Sequence, residues 1–283
     1  MILWLNGELV PASQARIDPA DRGFLLGDGL FETMMARHGR VAFLDAHLLR
    51  LARGAEAIGL ALPLDPARIA TACVKLLEAN GLADAPRAAL RLTLTRGPGP
   101  RGLALPPEPA PTLMIAAASA APPPAGLTAI VATPRRNNRS PSAQLKAIAY
   151  LDNVLAKEEA RARGAEEALM LDNDGHLACA SAANIFIWEN GRLLTPSADC
   201  GILPGIVRAA ILELAPGLGV ETLEDRIAAS RLSRIEGAFL TNSLIGVVPL
   251  TRIGERALPA AHPLTARLAA AYELLLDSAD RNG

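Results

Sequence analysis

The stretch QLKAIAYLDNVLAKEEARARG, residues 144–164, decides the fold, because an apolar segment around one lysine leads directly into a predicted helix. Lys146 lies between Leu145 and Ala147 and is one of only three lysines in a chain otherwise rich in arginine. Since arginine supplies positive charge equally well, a lysine kept in apolar surroundings indicates a nucleophilic amine whose neutral form is favoured by burial. The alternative is a lysine whose stem packs on the core edge while its head reaches water.

Strand and helix signals on both sides of this stretch predict a mixed α/β chain. Upstream, Asn6-Gly7 predicts a hairpin, and helices are predicted to start at Asp45 and at Asp65-Pro66. Downstream, the turns Asp174-Gly175 and Asn190-Gly191 predict two further hairpins. Strands and helices therefore alternate along both halves of the chain.

A proline-rich connector divides the predicted elements into two domains. Residues 117–127, AASAAPPPAGL, carry no charge and no periodicity, which is typical of a semi-rigid linker. We expect an N-terminal α/β domain over 1–116, a linker over 117–126 and a C-terminal domain over 127–283. The Gly/Pro-rich loop at 97–110 is too irregular to be helix or strand, and it could line a site.

Composition narrows the classes of partner. The 283 residues are 51% hydrophobic, which is enough for one large or two ordinary domains. A formal charge of −1 with scattered arginines predicts no attraction to nucleic acid or anionic membrane. The cysteines Cys73, Cys179 and Cys200 are too few and too far apart for a disulfide framework or a zinc site, so no metal is expected. With no leader and no stretch of about 18 apolar residues, we expect a cytoplasmic protein that acts on a small molecule.

Six motifs follow one another in the order found in a known family. They are RGFLLGDGLFET (22–33), HLLRL (47–51), LKAIAYLDNVLAKEEA (145–160), EALMLDNDGHLACASAANIF (167–186), GILPGIVR (201–208) and LTNSLIGVVPL (240–250). Together they closely resemble the class IV aminotransferases, pyridoxal-phosphate enzymes that include branched-chain and D-amino acid aminotransferases and 4-amino-4-deoxychorismate lyase. The resemblance implies the α/β (α+β) fold of type IV, with a smaller N-terminal α/β domain, a larger C-terminal pseudo-barrel domain, and a homodimer.

The resemblance also implies pyridoxal 5'-phosphate as the cofactor. Lys146 would hold the cofactor aldehyde as a Schiff base and would then move protons at the substrate carbon. The family binds the phosphate through an arginine, two amides at a helix N-terminus and a hydroxyl, which match Arg50, Ile206, Val207 and Ser243. Each has an ordinary alternative, namely a solvated helix arginine, simple helix capping and a turn hydroxyl.

Three more positions are assigned to the cofactor by the resemblance. Tyr150 would donate to the phenolic oxygen, or else pack in the core, and Ser181 is a further contact. Cys179 stands five residues before Asn184, where the family carries a glutamate that hydrogen-bonds the pyridine nitrogen. A thiol cannot supply that charge, so we expect a weaker electron sink that harms transamination more than elimination. Two other interpretations are a damaged site and a shifted strand.

Substrate recognition separates the members of this family. D-Amino acid aminotransferases pair an arginine with a histidine two residues later to bind the substrate carboxylate, whereas this chain has Arg101 and Leu103. Phe31 replaces a tyrosine of some transaminases, and the TNSL segment containing Asn242, a further candidate contact, is more usual among the lyases. We therefore expect a lyase that converts 4-amino-4-deoxychorismate to 4-aminobenzoate and pyruvate, in which Arg101 binds a substrate carboxylate unless it is a solvated loop arginine. The alternatives are a D-amino acid or broad-range aminotransferase and a weakly active or non-catalytic paralogue.

Overall fold

The computed structural model describes residues 1–259 and 262–279. The chain divides into two structural units, the first of which contains Met1–Ala121 and Leu145–Ala149. A six-stranded antiparallel sheet forms this first unit. Its strands are β1 (Ile2–Leu5), β2 (Glu8–Pro11), β3 (Gly29–Arg37), β4 (Arg40–Val41), β5 (Ala88–Thr95) and β6 (Thr112–Ser119). They lie in the order β2-β1-β6-β5-β3-β4. The hairpin predicted at Asn6-Gly7 is confirmed as the β1–β2 turn.

Three helices belong to this unit: α1 (Arg22–Leu26), α2 (Leu44–Ala57) and α3 (Pro66–Ala79). Asp65 caps α3 as predicted, since its side chain accepts a hydrogen bond from the Arg68 amide at 2.9 Å. The predicted cap at Asp45 is wrong, because Phe43 occupies the N-cap with a left-handed backbone and Asp45 falls in the first turn. Leucine, isoleucine and alanine side chains of α2 and α3 pack on the sheet as its core.

The second unit contains Pro122–Gln144 and Tyr150–Gly283 and is built on a nine-stranded sheet. Its strands are β7 (Leu127–Arg136), β8 (Glu167–Asp172), β9 (Leu177–Ala180), β10 (Asn184–Glu189), β11 (Arg192–Pro196), β12 (Thr222–Asp225), β13 (Gly237–Asn242), β14 (Gly246–Ile253) and β15 (Arg256–Ala257). The order is β12-β11-β10-β13-β14-β7-β8-β9, with β15 on β14. The sheet curls into a half-barrel, which confirms the predicted α/β class with a pseudo-barrel.

Turn signals located the hairpins of this sheet correctly. The Asp174-Gly175 and Asn190-Gly191 turns join the antiparallel pairs β8–β9 and β10–β11. The helices are α4 (Leu151–Ala162), α5 (Ile206–Leu214) and α6 (Pro263–Ala279). Strands β8, β9 and β10 are buried along their whole length. For β8 and β9 this is because apolar clusters cover both of their faces.

Three features of the described residues concern membrane-spanning helices, metal clusters and the state of the cysteines. No helix within 1–259 and 262–279 is both long enough and apolar enough to cross a membrane. In the same residues, no group of three or more His, Cys, Asp or Glu side chains is arranged to hold a metal ion. All three cysteines are buried free thiols.

Candidate functional site

Lys146 is fixed by its backbone to the edge of β3. The Phe31 amide donates to the Lys146 carbonyl at 2.9 Å, and the Ile148 amide donates to the Gly29 carbonyl at 3.1 Å. The lysine is therefore in an extended segment, and α4 begins only at Leu151. A strand-like attachment of this kind holds the Cα of Lys146 in place while the side chain projects from it, half-buried.

Two cations lie against the ring of Phe31. The Nζ of Lys146 is 4.4 Å from the ring centroid, and the Cζ of Arg91 is 3.9 Å from it. Phe31 itself is buried, so the aromatic face and the two cations form one cluster. Arg91 was not among the predicted site residues. Its only signal in the sequence is a charged side chain in the middle of the apolar strand β5.

Glu32, the residue after Phe31 on β3, has a buried carboxylate that holds Arg50 in place. Glu32 Oε1 accepts from Arg50 Nε at 2.8 Å, and Oε2 accepts from Arg50 Nη2 at 2.6 Å. His47 Nδ1 lies 2.7 Å from the same Oε2. Fork-like pairing fixes the guanidinium plane, so Arg50, the predicted phosphate ligand, is an immobilised side chain rather than a solvated one. Glu32 and His47 were missed as functional residues, although both lie in the quoted motifs.

Opposing effects set the charge of this Glu32–His47–Arg50 cluster. Burial alone would raise the pKa of Glu32, but hydrogen bonds and charge from Arg50 and His47 outweigh it and lower that pKa. Burial is the largest effect on the pKa of His47 and lowers it, and together with the charges of Arg50 and Lys146 it outweighs the raising by the contact with Glu32. The cluster therefore contains an ionised carboxylate and a largely neutral imidazole at neutral pH.

Cys179 lies on β9 in an apolar environment in the second unit. Its side chain packs in a cluster with Met170, Ile130 and several alanines. Burial is the largest effect and raises the pKa of the Cys179 thiol to about 11, while the charge of Arg136 lowers that pKa and the charge of Glu167 raises it by lesser amounts. At neutral pH this position therefore carries no charge.

Ser181 follows β9 and is held by a polar network. Its hydroxyl donates to Glu167 Oε1, and its carbonyl accepts from Asn153 Nδ2 at 2.7 Å. Glu167 also accepts from the Ala168 amide at 2.8 Å. Ser181 is thus bound to a buried carboxylate on β8, an arrangement that the sequence did not indicate.

Ile206 and Val207, predicted to bind an anion through their amides, are the first two residues of α5. Gly205 is the N-cap, and the first amides of a helix have no acceptor within the helix. Asn184 Nδ2 donates to the Leu203 carbonyl at 3.0 Å, which holds the turn before the helix. A Cβ at Gly205 would lie 1.8 Å from Asn184 Oδ1, so glycine is required for this close approach.

Asn242 ends β13, and Ser243 follows it in the turn. Asn242 Oδ1 accepts from the amides of Leu244 and Ile245, both at 2.9 Å, and its Nδ2 donates to the Ala182 carbonyl at 3.1 Å. The Asn242 side chain therefore shapes the turn that presents Ser243. Amides at a helix N-terminus and a hydroxyl are the kinds of donor that would suit the phosphate of the cofactor implied by the family resemblance, and their role as its ligands stays a prediction.

The remaining predicted residues lie in loops or at a helix end. Tyr150 is half-buried at the N-cap of α4, so it lies just before the helix. Arg101 is exposed in the loop between β5 and β6. The Phe31 ring contacts both Lys146 and Arg91, and Arg101 is not part of that cluster.

Known proteins resemble this chain over most of its length. The family model described as amino-transferase class IV matches residues 29–253. The aminodeoxychorismate lyase of Bacillus subtilis (strain 168) is 32% identical, over 90% of this chain and 87% of its own. A Methanocaldococcus jannaschii protein provisionally named a branched-chain-amino-acid aminotransferase is 34% identical, over 90% of this chain and 89% of its own. The crystal structure of the Thermoproteus uzoniensis branched-chain aminotransferase with norvaline has a TM-score of 0.91 and 31% identity, over 98% of this chain and 94% of its own.

Proposed function

Because the chain belongs to the class IV aminotransferase family, we propose that it is a lyase that converts 4-amino-4-deoxychorismate to 4-aminobenzoate and pyruvate. Enzymes of this family use pyridoxal phosphate, which supplies an aldehyde for the substrate amine and a ring that withdraws electrons from the substrate. The observation that carries the lyase proposal is the neutral, buried thiol of Cys179.

A neutral group at position 179 favours elimination over transamination. The family glutamate would keep the ring nitrogen protonated, whereas a thiol with a pKa of about 11 has no charge to offer at neutral pH. Loss of the enolpyruvyl group creates an aromatic ring, so this reaction is driven by its product and needs less electron withdrawal. Transamination has no such driving force. The B. subtilis lyase among the relatives supports the same choice.

Lys146 is proposed to take the proton from the ring carbon that bears the substrate amine. Its backbone is fixed to β3, and its Nζ lies over the Phe31 ring, so the base is held at a defined place. The substrate carries two carboxylates, for which Arg101 is proposed as one partner. Arg91 provides a second guanidinium beside Lys146. A dicarboxylate therefore suits this set of side chains.

The other predicted residues are assigned to the cofactor and the substrate. We assign the phosphate to the amides of Ile206 and Val207, to the Ser243 hydroxyl and to Arg50, whose plane is fixed by Glu32. Further cofactor contacts are assigned to Tyr150, Cys179 and Ser181, and substrate contacts to Phe31 and Asn242. A cytoplasmic homodimer is part of the same proposal and rests on the family.

Direct assay of the proposed reaction tests it. Purified protein loaded with pyridoxal phosphate is mixed with aminodeoxychorismate generated in situ by a synthase, and 4-aminobenzoate and pyruvate are quantified. We expect both products in equal amounts and over many turnovers. Absence of 4-aminobenzoate, together with rapid formation of D-alanine from pyruvate and a D-amino donor, would overturn the lyase proposal.

An aminotransferase is the second candidate. It is favoured by the similarity to the M. jannaschii protein and to the T. uzoniensis structure. Sustained transfer from an amino donor to a branched-chain 2-oxo acid would support it. A cofactor absorbance that responds to no amine at all would instead indicate a paralogue without activity.

A further inference from the structure

One buried arginine holds the loop that carries Arg101. The loop at 97–111 joins β5 to β6 and forms no helix. Arg22, the first residue of α1, reaches it with both terminal nitrogens of its guanidinium. Nη1 and Nη2 donate to three successive carbonyls, those of Gly102 (3.1 Å), Ala104 (3.2 Å) and Leu103 (3.3 Å). An irregular loop is thereby fixed immediately after Arg101.

The inner end of Arg22 is attached to a rigid frame. Its Nε donates to Asp28 Oδ2 at 2.8 Å, and Arg96 Nε donates to the same oxygen at 2.8 Å. Arg96 in turn donates to the carbonyls of Ile58 at 2.7 Å and Gly59 at 3.0 Å, at the end of α2. The carboxylate of Asp28 therefore joins the loop-holding arginine to the helix and strand framework of this unit.

The site of Arg22 admits few replacements. Its side chain is only 5% exposed, and a Cβ at Gly99 would lie 2.9 Å from its Cδ, so a glycine makes room for the arginine stem. Four hydrogen bonds in one plane use the fixed fork of a guanidinium. The lysine ammonium has only three donors on one atom, so it cannot bind the carboxylate and all three carbonyls together.

Arg101 itself is placed differently. It is exposed, and no hydrogen bond or ion pair within residues 1–259 and 262–279 engages its side chain. We propose that Arg22 is a positioning residue that fixes residues 102–104 so that the Arg101 guanidinium meets a carboxylate of the substrate. This rests on the proposed function, in which Arg101 binds that carboxylate. Preorganisation of the loop lowers the entropy lost when the carboxylate is bound.

A double-mutant cycle tests whether Arg22 acts through Arg101. Arg22→Lys, Arg101→Gln and the double variant are compared by the kcat and KM for aminodeoxychorismate. A bidentate charge-assisted contact is worth about 30-fold, so we expect that rise in KM for Arg101→Gln and about tenfold for Arg22→Lys, with kcat changed less than about threefold. The double variant should match Arg101→Gln alone. Unchanged KM in Arg22→Lys, or multiplied effects in the double variant, would overturn the proposal.

The matched control is Arg256→Lys. Arg256 also holds backbone carbonyls, those of Leu232 and Ile235, but in the second unit. Its replacement should leave KM unchanged. An equal rise in KM for Arg22→Lys and Arg256→Lys would show a general loss of structure and would sink the assignment.

Trypsin cleavage after Arg101 measures the loop without any need for activity. We expect cleavage at least about fivefold faster in Arg22→Lys than in the wild type or in Arg256→Lys, because the released loop opens more often. Gly99→Ala should have the same effect by displacing the arginine stem, and it remains available if Arg22→Lys does not fold. Equal cleavage rates in all proteins would contradict the proposal.

Failure of the proposed function would look different. If the wild type makes no 4-aminobenzoate but accepts amino acids, KM is measured for an amino acid and for the matching amine without a carboxylate. Arg22→Lys should then raise only the first value. An effect on both substrates, or on neither, would count against Arg22 as the positioning residue whatever the reaction of the enzyme.

Discussion

Lys146 and Cys179 differ in the side chains packed directly against them, although the charges of Arg136 and Glu167 also act on the Cys179 thiol. Lys146 and Arg91 both contact the ring of Phe31. Glu32, the next residue of β3, is the centre of the Glu32–His47–Arg50 cluster. Cys179 packs among alanine, isoleucine and methionine and carries no charge at neutral pH. Elimination that ends in an aromatic product needs a placed base and bound anions, but it does not need a strongly charged ring environment. The difference between the two regions therefore favours a lyase.

Removal of the amine gives the largest expected effect and tests whether the Lys146 region is the reactive one. Lys146→Ala should lower formation of 4-aminobenzoate by at least about 10³-fold, because one side chain serves as Schiff-base amine and as base. Lys75→Ala, on the exposed side of α3, is the matched control and should keep full activity. Borohydride reduction followed by peptide mapping should label Lys146. Label on Lys75 or Lys157 instead would show that Lys146 is not the reactive amine.

Breaking the buried carboxylate cluster gives the next largest effect. In Glu32→Gln the Arg50 guanidinium loses its charged partner in a buried place, which costs about 3 kcal/mol of unfolding free energy. The affinity for pyridoxal phosphate should fall as well, since Arg50 is no longer held. Urea unfolding and cofactor titration measure both, with the exposed Glu78→Gln as control. Normal cofactor affinity in Glu32→Gln would separate this cluster from the phosphate.

Local signals predicted much of the fold. Asn-Gly and Asp-Gly turns located the hairpins, and Asp65-Pro66 located the start of α3, because these effects depend on neighbouring residues alone. The prediction that Asp45 caps α2 was wrong for the same reason. Several residues there could begin a helix, and the left-handed backbone at Phe43 decided the register, a choice that the sequence does not reveal.

The site was harder to predict than the fold. Lys146 stood out by composition, but Glu32 and His47 are 15 residues apart and meet only because β3 packs against α2. Arg91 reaches Phe31 because β3 and β5 pair in a register that places Arg91 opposite Thr33. Contacts of this kind depend on tertiary register, which a single sequence does not specify.

Adding a charged side chain at position 179 should reduce the difference between the Lys146 and Cys179 regions. Cys179→Glu places a carboxylate where the family has one, so the ratio of transamination to elimination should rise by about tenfold, the effect of one modest charge interaction. Cys179→Ser keeps a neutral hydroxyl and should leave the ratio near that of the wild type. The ratio is measured as alanine formed against 4-aminobenzoate formed. A rise with serine equal to that with glutamate would show that charge is not the cause.

Acid should weaken the Glu32–His47–Arg50 cluster, with the smallest effect of the four. The pKa of His47 is lowered from 6.5 in the fold, so below that value the unfolded chain binds a proton that the folded chain does not. Its contribution to stability is therefore lost as pH falls from 6.5 towards the folded value. Glu32, whose pKa is also lowered, adds a similar loss below 4.5.

Urea unfolding at pH 7.5 and at pH 5.5 isolates the histidine, because Glu32 stays ionised at both values, both being above its ordinary pKa of 4.5. His47→Gln should lose less unfolding free energy between the two pH values than the wild type does. The control is His38→Asn, which replaces an exposed histidine in a left-handed turn by a residue that tolerates that backbone. It should show the wild-type pH dependence. If His47→Gln shows the wild-type pH dependence too, the buried imidazole does not make the Lys146 region sensitive to acid. The charged groups that distinguish the Lys146 region from the apolar packing around Cys179 would then be Arg50 and Glu32, without His47.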